Sequence, residues 1–276
     1  MNSQLRSPLV SFLLTIFLAI TCFLIILPVI YAAIGAFRSA GDIQGGVIPL
    51  LTGETIFDNF SRAWEQSKVA NQLRNSIIVT ICQTAGQFIT SILAAYALVF
   101  GRLPYAKKIL IFFLLPMMIP SEVMVIGNYL TVRQIGLYDT IVAIFLPYVA
   151  SSLTLFLFVQ AFQSFPKEIH EATKLEGVGV FGFLFKFLLP LNRPVCMTAI
   201  VTSVISAWNG YMWPLLITQS PDVRTIQPGI KALADAASVD TGLVLAGIFI
   251  AMVPTILVVV FGQKYLSRGL TDGAVK

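Results

Sequence analysis

The chain has 276 residues, of which 57% are hydrophobic and 11% charged, and its mean hydropathy is +0.86. Soluble domains carry about 25% charged residues, so this composition excludes an ordinary soluble protein. The net charge of +5 does not point to nucleic acid, because no basic cluster is longer than Lys107-Lys108 and no polar domain is available to hold a groove.

Taken in chain order, the charges leave six long gaps. Uncharged stretches run between Arg6 and Arg38, Arg74 and Arg102, Asp139 and Lys167, Arg193 and Asp222, and Asp240 and Lys264. A sixth, between Lys108 and Arg133, is interrupted only by Glu122. A helix needs roughly 20 apolar residues to cross a hydrocarbon core of about 30 Å, so each gap holds one span. The reading is an all-α membrane protein with spans near 10–37, 75–100, 109–130, 140–162, 195–218 and 241–263, forming one transmembrane domain over 1–276. The first gap is too long for the core of a secretory signal, typically about 7 to 15 residues, and is read as a retained helix. Pro116 and Pro120 should bend the third span. Cys22, Cys82 and Cys196 lie inside apolar gaps without metal-ligand spacing and are expected to act as small buried hydrophobes.

Six spans put both termini on one side. With the termini inside, the inner segments carry eleven Lys and Arg against seven outside, so the positive-inside rule favours cytoplasmic termini. The outer segment from Arg38 to Arg74 has turn signals at Gly45-Gly46 and Gly53. Phe57, Phe60 and Trp64 then follow at helical spacing, as a short helix that is either a packing lid or a contact for a partner. The one sizeable inner connection is 163–194. There Pro166, the Lys167 and Glu171 pair and the Gly177 and Gly179 break predict two short helices, the second limited by Pro190. Such a loop either anchors the bundle at the interface or is gripped by another protein.

Glu171-Ala172-Thr173, then Glu176-Gly177, then Leu189-Pro190-Leu191 and Pro194, resemble the EAA loop of binding-protein-dependent ABC importer permeases. The likeness extends to Ile119-Pro120, Gly136-Leu137-Tyr138-Asp139-Thr140, Phe165-Pro166, the run from Trp208 to Leu216, and the ending from Arg268 to Lys276. These are similar to the second permease subunit of carbohydrate importers, the class of the maltose-type and glycerol-3-phosphate-type systems. Thr173 replaces the second alanine of the motif and Glu176 stands where Asp is usual, with no change of charge at either position.

The resemblance implies a type I ABC importer permease fold in a bacterial cytoplasmic membrane. It also implies a homologous second permease, two copies of a cytoplasmic ATPase and an extracytoplasmic solute-binding protein. Loop 163–194 would be the helix that couples to the ATPase, with Glu171, Ala172, Glu176, Gly177 and Pro190 as coupling positions and Glu171 and Gly177 central. His170, the single histidine, is read as a solvated or docking residue. The tail beyond Arg268 would be flexible and would either fray or reach the ATPase interface.

The residues themselves supply no catalytic or metal constellation. There is no G-x-x-x-x-G-K-[ST], HExxH or GxSxG, so Mg-ATP would be bound by the partner and this chain would need no cofactor of its own. Polar groups that are costly to bury in lipid should face the interior and mark the solute path: Glu122, Gln83, Gln87, Asn128, Trp208, Asn209, Tyr211 and Trp213. On one continuous helix, Trp208, Asn209 and Tyr211 would form a stripe suited to a sugar. Trp213 fits an interfacial belt equally well, and Glu122 could instead cap the proline break. An ion-coupled secondary transporter is the competing reading, with Glu122 as its single intramembrane ionisable group; a scaffold would leave the loop and the Trp208 segment without a role.

Overall fold

The computed structural model describes residues 8–66, 68–237 and 240–271, and among them the regular structure is entirely helical. Among the described residues, three helices are long and apolar enough to cross a membrane: Leu9–Gly35, Val69–Phe100 and Thr241–Tyr265. Three helix pairs pass the same test together but are bent: Ala106–Met118 with Ser121–Gln134 by 100°, Ile141–Tyr148 with Ser152–Gln163 by 42°, and Val180–Leu191 with Arg193–Trp208 by 85°. Two compact units result, Met1–Val69 with Ile230–Met252 and Ala70–Gly229 with Val253–Lys276.

The first unit is built on α1 (Pro8–Gly35), three short helices, α2 (Ala40–Gln44), α3 (Val47–Thr52) and α4 (Asp58–Gln66), and chain from 230 to 252. From Leu9 to Tyr31 every residue of α1 except Thr21 is exposed, an arrangement that only an apolar solvent tolerates over such a length. Cys22 is exposed, contrary to the expectation of burial, because no element among the described residues covers α1 there. The polar groups of this unit tie chain ends together. Arg38 donates to the carbonyls of Leu50 (2.6 Å) and Leu51 (3.1 Å) in the last turn of α3, where a cation complements the helix dipole. Asn59 donates to Ala36 and Arg38 carbonyls, and Arg62 pairs with Asp240 at 2.6 Å. Phe60 packs inward against Phe37 and Phe249, while Phe57 and Trp64 of the expected lid stay exposed.

The second unit is organised on α5 (Val69–Phe100) from Ala70 onward. Its remaining helices are α6 (Ala106–Leu114), α7 (Ser121–Gln134), α8 (Ile141–Phe145), α9 (Ser152–Gln163), α10 (Lys167–Leu175), α11 (Val180–Phe183), α12 (Leu189–Leu191), α13 (Arg193–Trp208), α14 (Met212–Ile217) and the start of α15 (Ile226–Ala236). The last helix, α16 (Thr241–Thr271), enters it from Val253. α9 packs on α13, and α14 packs on α7 and α8. One face of α5 buries Ser76, Thr80, Gln83, Gln87 and Ser91, spaced by three or four residues so that they share a side of the helix, with Asn75 buried beside the first. Asn75, Ser76 and Gln87 serve backbone that the breaks leave unpaired. Asn75 donates to the carbonyls of Asp222 and Arg224, Ser76 accepts the Ile226 N–H, and Gln87 and Thr90 donate to the carbonyls of Tyr148 and Val149 in the turn after α8. Gly86 makes this approach feasible, since a Cβ there would lie 2.9 Å from the Val149 side chain.

The bend at Pro116 and Pro120 agrees with the sequence expectation, and Ser152 donates to the Phe113 carbonyl beside it at 2.7 Å. α16 stays helical through Gly269 to Thr271, where a flexible tail was expected from Arg268 on; the rest of that tail, 272–276, lies outside the described residues.

Candidate functional site

Two places in the second unit gather the expected residues. The first is a cavity of about 290 Å³ where α5, α7, the end of α8 and the α13–α14 break meet. Its polar lining is Gln83, Ser121, Glu122, Tyr148, Ser206 and Tyr211, with Trp213 among the apolar walls. Glu122 stands in the first turn of α7, where its charge suits the helix N-terminus. It does not cap that end. Pro120 occupies the cap position without a side-chain bond, and Glu122 is exposed, with Ser121 Oγ 3.1 Å from its carboxylate. Asn128 is half-buried on α7 and does not line the cavity.

The stripe expected of Trp208, Asn209 and Tyr211 is not formed, because one helix does not carry all three. α13 ends at Trp208, Asn209 caps it, and α14 starts only at Met212. Gly210 is the sequence signal of this break. Trp208 is buried and does not line the cavity. Asn209 was expected to face the interior but is exposed, and its amide is already bonded to the Ile205 carbonyl one turn back. Tyr211 does line the cavity. Trp213 is buried rather than set in a belt, with its indole N–H donating to the carbonyls of Ala143 (3.2 Å) and Ile144 (3.1 Å). Gln87 lies outside the lining, committed to the Tyr148 carbonyl at 2.8 Å.

The second place is the loop from Lys167 to Leu191. α10 ends in a glycine cap: Val178 N–H bonds the Thr173 carbonyl, Gly177 N–H bonds that of Lys174, and Gly177 has φ +73°. That is the Schellman arrangement, in which a β-carbon would be strained. Beyond it, Pro190 has no N–H to offer the turn before it, and residues Leu184–Leu188 widen into a π-turn ahead of the 85° bend. α10 has two distinct faces. Thr173 and His170 turn inward, and the histidine ring stacks on Phe183 (4.5 Å, 17°) with its face toward the edge of Phe100 or the reverse (4.5 Å, 87°). This corrects the solvated reading of His170; burial, helped by the Lys174 charge and opposed by Glu171, holds its pKa below the ordinary value. Outward lie Glu171, Ala172, Lys174, Glu176 and Leu175, the last 90% exposed.

A third feature was missed by sequence reasoning. Asp139 adopts a left-handed conformation (φ 59°), and its carboxylate accepts the N–H groups of Gln219 (2.8 Å) and Ser220 (3.0 Å) and the Ser220 hydroxyl. Its own N–H donates to the Ile217 carbonyl, so the clasp joins the end of α14 to the α7–α8 turn. Burial pushes the Asp139 pKa up, but the three hydrogen bonds and the Arg224 charge together bring it below the ordinary carboxylate value. Gly136 (φ 74°) makes the turn and Thr140 caps α8. Each polar or glycine position of the Gly136–Thr140 motif thus has a structural role.

Residues 87–272 match the family described as binding-protein-dependent transport system inner membrane component. The chain belongs to this family. It is therefore a membrane permease component of a binding-protein-dependent transport system, located in the inner membrane. It is 32% identical to a lactose transport system permease protein from Rhizobium radiobacter over 259 residues, 94% of either chain. It is 29% identical to an sn-glycerol-3-phosphate transport system permease protein from Agrobacterium fabrum, covering 96% of this chain and 97% of that one. In fold it resembles a chain of a bacterial ABC transporter involved in import of the acidic polysaccharide alginate, with a TM-score of 0.84 at 22% identity over 95% of this chain and 99% of that one. A second structure, of a bacterial alginate ABC transporter with an alginate pentasaccharide-bound periplasmic protein, matches with a TM-score of 0.65 at 18% identity, covering 94% and 95%.

Proposed function

We propose that the chain is one of two homologous permease subunits of an ATP-driven importer for a sugar or sugar-like solute. Two copies of a cytoplasmic ATPase bind Mg-ATP, an extracytoplasmic protein delivers the solute, and this chain hydrolyses nothing itself. The three long helices, the first two bent pairs and the segment 195–218 serve as six spans, with cytoplasmic termini and the 163–194 loop on the ATPase side. The observation that carries the reading is the outward face of α10. Leu175 is 90% exposed between charged residues on a helix whose other face is packed, and a large apolar side chain so displayed outside the apolar spans suits a protein partner. Glu171 supplies a charged hydrogen-bond acceptor beside it, Ala172 permits close approach, and the Gly177 cap sets where the chain turns away.

Reconstitution separates this reading from ion-coupled transport. Vesicles holding the assembled complex and ATP inside, with no ion gradient, should accumulate solute delivered by the binding protein. Accumulation that follows an imposed proton or sodium gradient and ignores ATP would overturn the reading.

A further inference from the structure

We propose that the cavity beside Glu122 selects uncharged, hydroxyl-rich solutes and rejects anionic ones, so that this chain serves a neutral sugar rather than a sugar phosphate or a uronate. The inference rests on reading the cavity as part of the solute path.

Its lining has one charged side chain among the described residues, and that is the Glu122 carboxylate. Among the described residues the carboxylate's side-chain partner is the neutral Ser121 hydroxyl, which leaves its charge uncompensated. In a cleft with low-dielectric walls such a charge is poorly screened and repels anions entering beside it. Among the described residues no cation lines the space. Of the arginines in the outer turns of this unit, Arg133 lies over the rings of Tyr129 (5.6 Å) and Tyr138 (5.0 Å), and Arg224 donates to the Gln219 carbonyl.

The other polar groups suit hydroxyls. Ser121, Ser206, Tyr148 and Tyr211 each carry a hydroxyl able to donate or accept, and Gln83 adds an amide with both functions. A phosphate or carboxylate needs several donors with net positive potential, whereas a sugar offers both donors and acceptors. Tyr211 and Trp213 add ring surface for the apolar face of a sugar.

The test labels the cavity directly in the full chain within its assembled complex, after Cys22→Ala, Cys82→Ala and Cys196→Ala. Ser206→Cys and, separately, Ser121→Cys are reacted with a cationic and an anionic methanethiosulfonate of similar size, with rates normalised to a small free thiol. The expected result is a roughly tenfold preference for the cationic reagent at one or both positions, which Glu122→Gln removes. Equal normalised rates for the two reagents, or no reaction at either position, would overturn the proposal. Uptake by the unlabelled complex supplies the second arm, with lactose, sn-glycerol-3-phosphate and an alginate oligosaccharide as probes, each offered with the complex's own binding protein. Uptake of either anion in preference to lactose and other neutral sugars would overturn the selectivity while leaving the path intact. Undiminished uptake after complete labelling of Ser206→Cys and of Ser121→Cys would overturn the path reading itself.

Discussion

α1 and α5 are both long enough to cross a membrane, and they hold their places by opposite means. α1 is exposed from Leu9 to Tyr31 apart from Thr21, and its two threonine hydroxyls bond back to their own helix, Thr15 to Ser11 and Thr21 to Phe17. α5 instead buries a polar face whose amides and hydroxyls reach the broken backbone around residues 148–149 and 222–226. The difference teaches where information resides in a membrane chain. Lipid asks α1 only to be apolar and helical, whereas α5 must match particular carbonyls and N–H groups of segments that cannot satisfy themselves.

The largest effect should come from breaking the apolar rule on α1. Leu24→Arg puts a charge near the middle of an exposed apolar helix and should cost about 3–4 kcal/mol of insertion free energy. The inserted fraction in a translocation assay reads this; insertion as efficient as wild type would show that α1 is not a lipid-facing span. Next comes α5. Asn75→Leu removes the donor that serves the Asp222 and Arg224 carbonyls in a fully buried position, with an expected loss of about 2–3 kcal/mol. The apparent melting temperature in detergent should fall clearly, while Leu24→Ile on α1 should leave it nearly unchanged. Equal shifts for the two variants would erase the contrast.

A smaller effect sharpens the same comparison at the Asp139 clasp, where a side chain again serves free backbone N–H groups. The folded state holds this carboxyl below its unfolded value of about 3.9, so the clasp stabilises fully above that pH and loses its contribution as pH falls through the folded value. Asp139→Asn should therefore cost about 1 kcal/mol near neutrality, and its difference from wild type should shrink below about pH 4. A difference that stays constant from pH 7 to pH 3 would mean that the charge of Asp139 contributes nothing.

How much of this was legible follows from the same division. Charge-free gaps are a one-dimensional consequence of an apolar solvent, so the helical regions and the bend at Pro116 and Pro120 could be read directly. The site residues were harder because their roles depend on which backbone is left unpaired. Gln87 resembled a path residue until the 42° bend exposed the Tyr148 carbonyl it serves. The Trp208–Tyr211 stripe required a helix to continue through Asn209-Gly210, and glycine ended it. His170 and Thr173 stand three apart on one face of α10, a spacing that already hinted at burial together, whereas the Phe100 and Phe183 rings around the histidine come from distant sequence. The reading of loop 163–194 rests on motif spacing and on its amphipathic sequence, and the fold adds which side chains of α10 lie on its packed and open faces.

The claim that the outward face of α10 engages the ATPase is tested most directly at Leu175, whose side chain contributes little to the packing of this chain. Leu175→Glu should leave folding and membrane insertion unchanged while ATP hydrolysis stimulated by the solute-loaded binding protein, measured on complexes in lipid nanodiscs, falls at least tenfold and ATPase subunits dissociate during purification. Stimulated hydrolysis at the wild-type rate, with the ATPase retained in full, would contradict the account.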